Sequence, residues 1–240
     1  MKTNCNKFLA VVLLSLCAMV VCRAQSSAPQ TYKLKFRLIS WDSEISDLQM
    51  LNGDGNLTPV RILPNGRSPF YVYEGPGPVA FGRQKTGPDG KPLFEEAVTV
   101  PVKEFSERTL LMFSPSPDAR GRFLATGFDD TDAALPAGSY RFANLSPKQL
   151  AIKCGDASGT VDPREFKTMQ ARTTDNPEIM PVEIWAKSDG GFQRVYSNRW
   201  PYGLTTRTLV FVYFVPGKKS FELKRIQEDA AALPTPTPKP

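Results

Sequence analysis

The chain has 240 residues, with 30 lysines and arginines against 24 aspartates and glutamates, 4 cysteines and no histidine. The missing histidine excludes histidine-based triads, histidine-ligated zinc and the commonest general base. A net charge of +6 is spread along the chain, with Lys218-Lys219 as a tight basic pair, and this lacks the basic stripe of a nucleic-acid binder.

Lys2 and Lys7 flank the start of an apolar run of 15 residues, Phe8 to Cys22, and Cys22-Arg23-Ala24 puts small residues where a signal peptidase reads. The pattern predicts a secretory signal peptide over 1–24, its apolar run shorter than a bilayer span. Leu16 and Val21, standing before Cys17 and Cys22, argue against a lipoprotein. Cleavage after Ala24 would leave 216 residues, lower the net charge to +3 and remove Cys5, Cys17 and Cys22. Cys154 then stands alone, so burial rather than an internal disulfide must hold the fold. The expected location is periplasmic, cell-surface or extracellular, with no transmembrane segment after cleavage.

Tyr32, Leu34, Phe36 and Leu38 alternate with Lys33, Lys35 and Arg37, the period of a half-buried strand with one charged face. Further strands are predicted over 59–63, 69–73, 79–83, 97–102 and 109–113. The turns NGDGN (52–56), PNGR (64–67), GPGP (75–78) and GPDGKP (87–92) separate them. Later strands are predicted over 139–144, 149–154, 182–187, 192–198, 206–215 and 220–226, with hairpin turns at 188–191 and 216–219. The one helical stretch expected is 164–170. Such short runs, with 17 glycines and 22 prolines, indicate an all-β chain built as an antiparallel β-sandwich, either one large domain or two small ones. The charged break EFSER (104–108) suggests two β-sandwich domains, 25–105 and 106–228, followed by a Pro/Thr-rich polyproline II tail over 229–240. No period repeats strongly enough to establish a duplication.

The most chemical-looking stretch is FDDTDAALPAGSYRFANLS, 128–146. Asp130 and Asp132 match a fragment of a calcium loop's alternating oxygen ligands, which makes Asp129, Asp130 and Asp132 the candidate metal residues and calcium the candidate cofactor. A turn is the simpler reading, because aspartate bonds its own backbone. Asn52, Asp54 and Asn56 alternate in the same way, but Leu57 stands where a calcium loop needs glycine. The G-x-S-x-G, S-x-x-K, P-loop and G-x-G-x-x-G motifs are absent. A carboxylate-only hydrolase would need two acids facing across a cleft, drawn from Asp129, Asp130, Asp132 and Glu183. Glu183, on a strand face with Trp185 and Lys187, more simply meets solvent.

Trp200 and Tyr202 in SNRWPYG, and Trp41 after the first strand, are the candidate ligand-binding residues. Exposed rings would stack on sugar faces, whereas buried ones would plug the end of a sandwich. Cys154 reads as a small buried residue.

Pro136, Gly138 and Tyr140 in LPAGSYRFANLS resemble the PxGxY turn-and-strand of transthyretin-like and immunoglobulin-like modules in bacterial secreted proteins. The resemblance implies a hairpin with Tyr140 and Phe142 facing one way, an exported compartment and no catalytic residue. The expected function is therefore non-catalytic binding or scaffolding in the cell envelope. Its partner would be an envelope protein or polysaccharide, met through strand edges and aromatic loops, and not a nucleic acid. A carbohydrate-binding module using Trp41, Trp200 and Tyr202 is the alternative, and a carboxylate-based hydrolase the second.

Overall fold

Short alternating runs rich in β-branched and aromatic residues, cut by Gly and Pro, fit pleated half-buried surfaces. The structure, a computed structural model, describes residues 30–170, 172 and 179–232, and among these it is all-β. The expected signal peptide, 1–24, lies outside the described residues, as does the tail beyond 232.

The first eight strands are β1 (Thr31–Ser40), β2 (Gln49–Leu51), β3 (Leu57–Pro59), β4 (Tyr71–Pro76), β5 (Val79–Thr86), β6 (Pro92–Val100), β7 (Thr109–Pro115) and β8 (Phe123–Asp129). They form two sheets, ordered β4-β1-β7-β8 and β3-β2-β5-β6. Phe36, Leu38, Leu111 and Phe113 from one sheet pack on Met50, Val79, Phe81 and Val100 from the other, which makes a sandwich core.

The next eight are β9 (Tyr140–Asn144), β10 (Leu150–Cys154), β11 (Ala157–Val161), β12 (Phe166–Met169), β13 (Ile179–Ser188), β14 (Gly191–Pro201), β15 (Thr206–Val215) and β16 (Ser220–Asp229). Their sheets run β12-β9-β15-β16 and β11-β10-β13-β14. Adding eight to each number of the first sandwich therefore reproduces the second. The correspondence extends to register. In both halves the first and seventh strands pair in parallel, starting at Phe36 with Thr109 and at Tyr140 with Thr208. The bulge after Phe81, the partner of Met50, recurs after Ile184, the partner of Ile152. Arg108-Thr109-Leu110 and Arg207-Thr208-Leu209 then occupy matching positions, a sequence echo too short to stand out alone.

The two sandwiches meet back to back through the β1/β7 and β9/β15 sheets. Ile39, Leu110, Met112 and Phe128 pack on Ala143, Leu209, Phe211 and Ile226, with Leu135 of the connecting segment among them. This explains why Leu110–Phe113 of β7 and Leu209–Val212 of β15 are apolar on both faces: one face fills a sandwich and the other fills the junction.

Four expectations change. The break at 104–108 does not separate two sandwiches, because β7 and β8 beyond it pair into the sheet of β1; the connection between the sandwiches is 130–139. The stretch 164–170 contains strand β12, paired with β9, rather than a helix. The PxGxY stretch is no hairpin, since β9 pairs with β12 and β15 and not with β8. Gly138 does adopt φ +70°, and Tyr140 and Phe142 do share the core. Finally, β16 continues to Asp229, where the tail was expected to begin. The hairpins at 188–191 and 216–219 form, closed by Ser188 with Gly191 and Val215 with Ser220. Among the described residues no helix is long and apolar enough to cross a membrane.

Candidate functional site

Alternation along β1 sends Phe36 and Leu38 into the first core and Arg37 and Ile39 into the junction. Lys33 and Lys35 of the same face stay exposed, so the charged face expected of this strand is solvated only over its first half. On β15, Arg207 leads the junction face of Leu209 and Phe211, and on β16 Glu228 follows Ile226. Asp130, just past β8, is fixed by its N–H donating to the Arg108 carbonyl at 2.8 Å. Asp130 and Glu228 thus sit beside the equivalent arginines Arg108 and Arg207 of the two modules.

These residues and Arg67 form a buried ionic cluster. Arg37 donates to Asp130 Oδ2 at 2.5 Å and grips both oxygens of Glu228. Arg67 donates to Asp130 Oδ1 at 3.2 Å. Arg207 donates to Glu228 Oε2 from Nη2 at 2.6 Å and from Nε at 2.9 Å. At the rim Arg108 pairs with Asp132, which also accepts from Arg207 Nη1 at 3.3 Å. The charges reach the hydrogen-bonding range in which a buried pair holds together. Burial pushes the Glu228 carboxyl up, but the Arg37 and Arg207 hydrogen bonds and the Arg67 charge outweigh it and hold it at about 2.

The acidic patch is therefore the start of the connection between modules rather than a calcium loop. Asp130 points inward to three arginines, Asp132 is 69% exposed and paired with Arg108, and Asp129 Oδ1 accepts the Thr131 N–H at 3.0 Å. Among the described residues no three His, Cys, Asp or Glu side chains come together as a metal site. Asp54 of NGDGN accepts from the Asn56 N–H and side chain, a turn. Glu183 pairs with Arg194 at 3.2 Å.

The three aromatic candidates separate. Trp200 is 1% exposed and stacks at 6.1 Å on Phe142, with its Nε1–H donating to Tyr196 Oη at 2.8 Å. It is a core residue because β14 turns its ring inward, which leaves no sugar platform. Tyr202 packs partly buried against the same core. Trp41 alone reaches a cleft. Its ring stands edge-on to Phe211 and Tyr213, and Lys224 Nζ lies 5.4 Å from the ring centroid while donating to the Trp41 and Ser40 carbonyls. The cleft, about 470 Å3, takes Trp41, Asp42 and Asn65 from the first module and Tyr213, Lys224 and Arg225 from the second. Cys154 is fully buried, which pushes its thiol up to about 12 and keeps it protonated.

Arg37, Arg67, Arg207 and Glu228 carried no local signal as a site. Each comes from a different strand or loop, and the repeated Arg-Thr-Leu was the one trace of their arrangement.

No protein-family model matches the chain, and no curated protein matches it. Among solved structures it is similar to a candidate cell adhesion protein from Bacteroides uniformis, at 11% identity over 83% of this chain and 98% of that chain, with a TM-score of 0.21. A superposition this loose carries no argument about function.

Proposed function

We propose that the chain is an exported cell-envelope protein that acts by binding, with the cleft at the module junction as its contact site. The observation that carries the reading is that both modules build this cleft, while the apolar and ionic junction beside it holds them together. A preformed site costs less ordering on binding than one assembled from a mobile hinge. The carboxylates of the cluster support binding over acid–base chemistry, since Asp130 and Glu228 are both occupied by arginines, which hold the Glu228 carboxyl well below the usual carboxylate range.

A carbohydrate ligand is the second reading. It rests on Trp41 and Tyr213 lying beside Asn65, Lys224 and Arg225, an aromatic wall with polar groups of the kind that recognises hydroxyl-rich ligands.

The test is retention of the protein on immobilised envelope polysaccharide and on envelope protein extract, compared with Trp41→Ala and Lys224→Ala. Retention lost in both variants supports the cleft. Equal retention in all three proteins moves the contact surface away from it, and no retention on any fraction defeats the binding reading.

A further inference from the structure

We infer that the junction cluster holds one small monovalent inorganic anion of the chloride type, bound by Arg67 beside Arg37. The inference starts from charge. Arg37, Arg67 and Arg207 have side chains at most 4% exposed, and they face two carboxylates, Asp130 and Glu228. Arg108 and Asp132 at the rim cancel each other. One positive charge is left over in a site shielded from water. A guanidinium does not give up its proton in a protein, so the excess cannot be relieved by neutralisation.

Hydrogen bonding points to the same place. Arg67 Nε and Nη1 and Arg37 Nε are buried and have no hydrogen-bond partner among the described residues. Glu228 Oε2 stands 3.8 Å from Arg67 Nε, beyond hydrogen-bonding distance. Arg67 is held there by its neighbour: Ser68 N–H donates to the Leu38 carbonyl at 2.9 Å, and Ser68 Oγ accepts the Leu38 N–H at 2.8 Å. The loop is stitched onto β1, which fixes the Arg67 backbone beside Arg37, and the side chain it carries there is 2% exposed.

Buried N–H groups left without acceptors and a buried charge left without a counter-charge are both costly. Water would satisfy the first need and leave the second. A monovalent anion meets both, whereas a divalent oxyanion would reverse the imbalance. The anion would balance the excess charge that Arg67 and Arg37 of the first module bring to the face where Glu228 and Arg207 of the second meet them.

The experiment is thermal unfolding of the full chain at pH 7 in sodium chloride and in sodium gluconate at equal ionic strength. The expected result is a midpoint that rises with chloride by roughly 5 °C per 100-fold above the dissociation constant. Arg67→Gln, checked for native strand content by circular dichroism, is expected to lose this dependence. Crystals of the unaltered protein soaked in bromide provide a measurement that needs no variant, with an anomalous peak expected within hydrogen-bonding distance of Arg67 Nη1. Equal midpoints in the two salts, undiminished dependence in a folded Arg67→Gln, or no bromide peak in the cluster would each overturn the inference. A bromide peak without chloride dependence would mark an adventitious ion only and overturn it as well.

Discussion

Burial pushes the Glu228 carboxyl upward, yet its arginine partners hold it at about 2, below the ordinary value of 4.5. A folded value below the unfolded one means that the stabilisation is complete above about pH 4.5 and disappears as the pH falls toward 2. The protein is expected to lose stability between pH 5 and pH 3. Glu228→Gln should cost roughly 3 kcal/mol at pH 7, as when one partner of a buried pair is removed, and should flatten the acid response. Urea unfolding at both pH values checks this, and a variant with the full acid response would assign that response to other carboxylates. Trp200 tests the core assignment. Its truncation to Ala should cost about 3–5 kcal/mol in denaturant unfolding, because the ring stacks on Phe142 and bonds Tyr196. A Trp200→Ala protein of unchanged stability would contradict the burial.

Single strands show how little room the sandwiches leave. A Cβ on Gly127 of β8 would collide with the Glu104 carbonyl of the 3-10 turn Val102–Glu104, where the backbone itself blocks relief. Gly127→Ala should therefore destabilise by about 2 kcal/mol, within the usual cost of overpacking, and a neutral result in thermal unfolding would show that the turn can retreat. This contact also explains why the charged segment 104–108 is no linker: it lies against β8 within the first sandwich. The edge strand β14 is long, but Arg194 and Arg199 stand along it, a common guard against edge-to-edge association.

The repeated topology makes the junction the deciding feature of the whole molecule. Two sandwiches that share a buried apolar face and an ionic cluster should unfold together, whereas two beads on a linker would unfold separately. Denaturant unfolding followed by Trp41 emission, in a Trp185→Phe/Trp200→Phe background, should coincide with unfolding followed by Cys154 labelling in the second module. Phe211→Ala, which removes the ring that packs on both Trp41 and Phe128, should cost about 3–5 kcal/mol and separate the two transitions. Coincident transitions in that variant would mean that Phe211 does not couple the modules.

Much of this was legible locally. Alternating hydrophobicity and Gly/Pro punctuation place most strands and both later hairpins, because strand period and turn geometry depend on near neighbours. The burial of Cys154 followed from its place at the end of an apolar strand. What the residues could not disclose is which surface covers each face. Arg37 reads like Lys33 and Lys35, and is buried because residues 93 and 191 positions away close over it. Trp200 and Trp41 look alike as loop-flanking aromatics, yet one fills a core and the other lines a cleft. The parallel pairing of β1 with β7, the module boundary and the meeting of three arginines with two carboxylates all depend on long-range packing. An alternating pattern states that a strand has two unlike faces, and only the assembled sheets decide whether the polar one meets water or another charge.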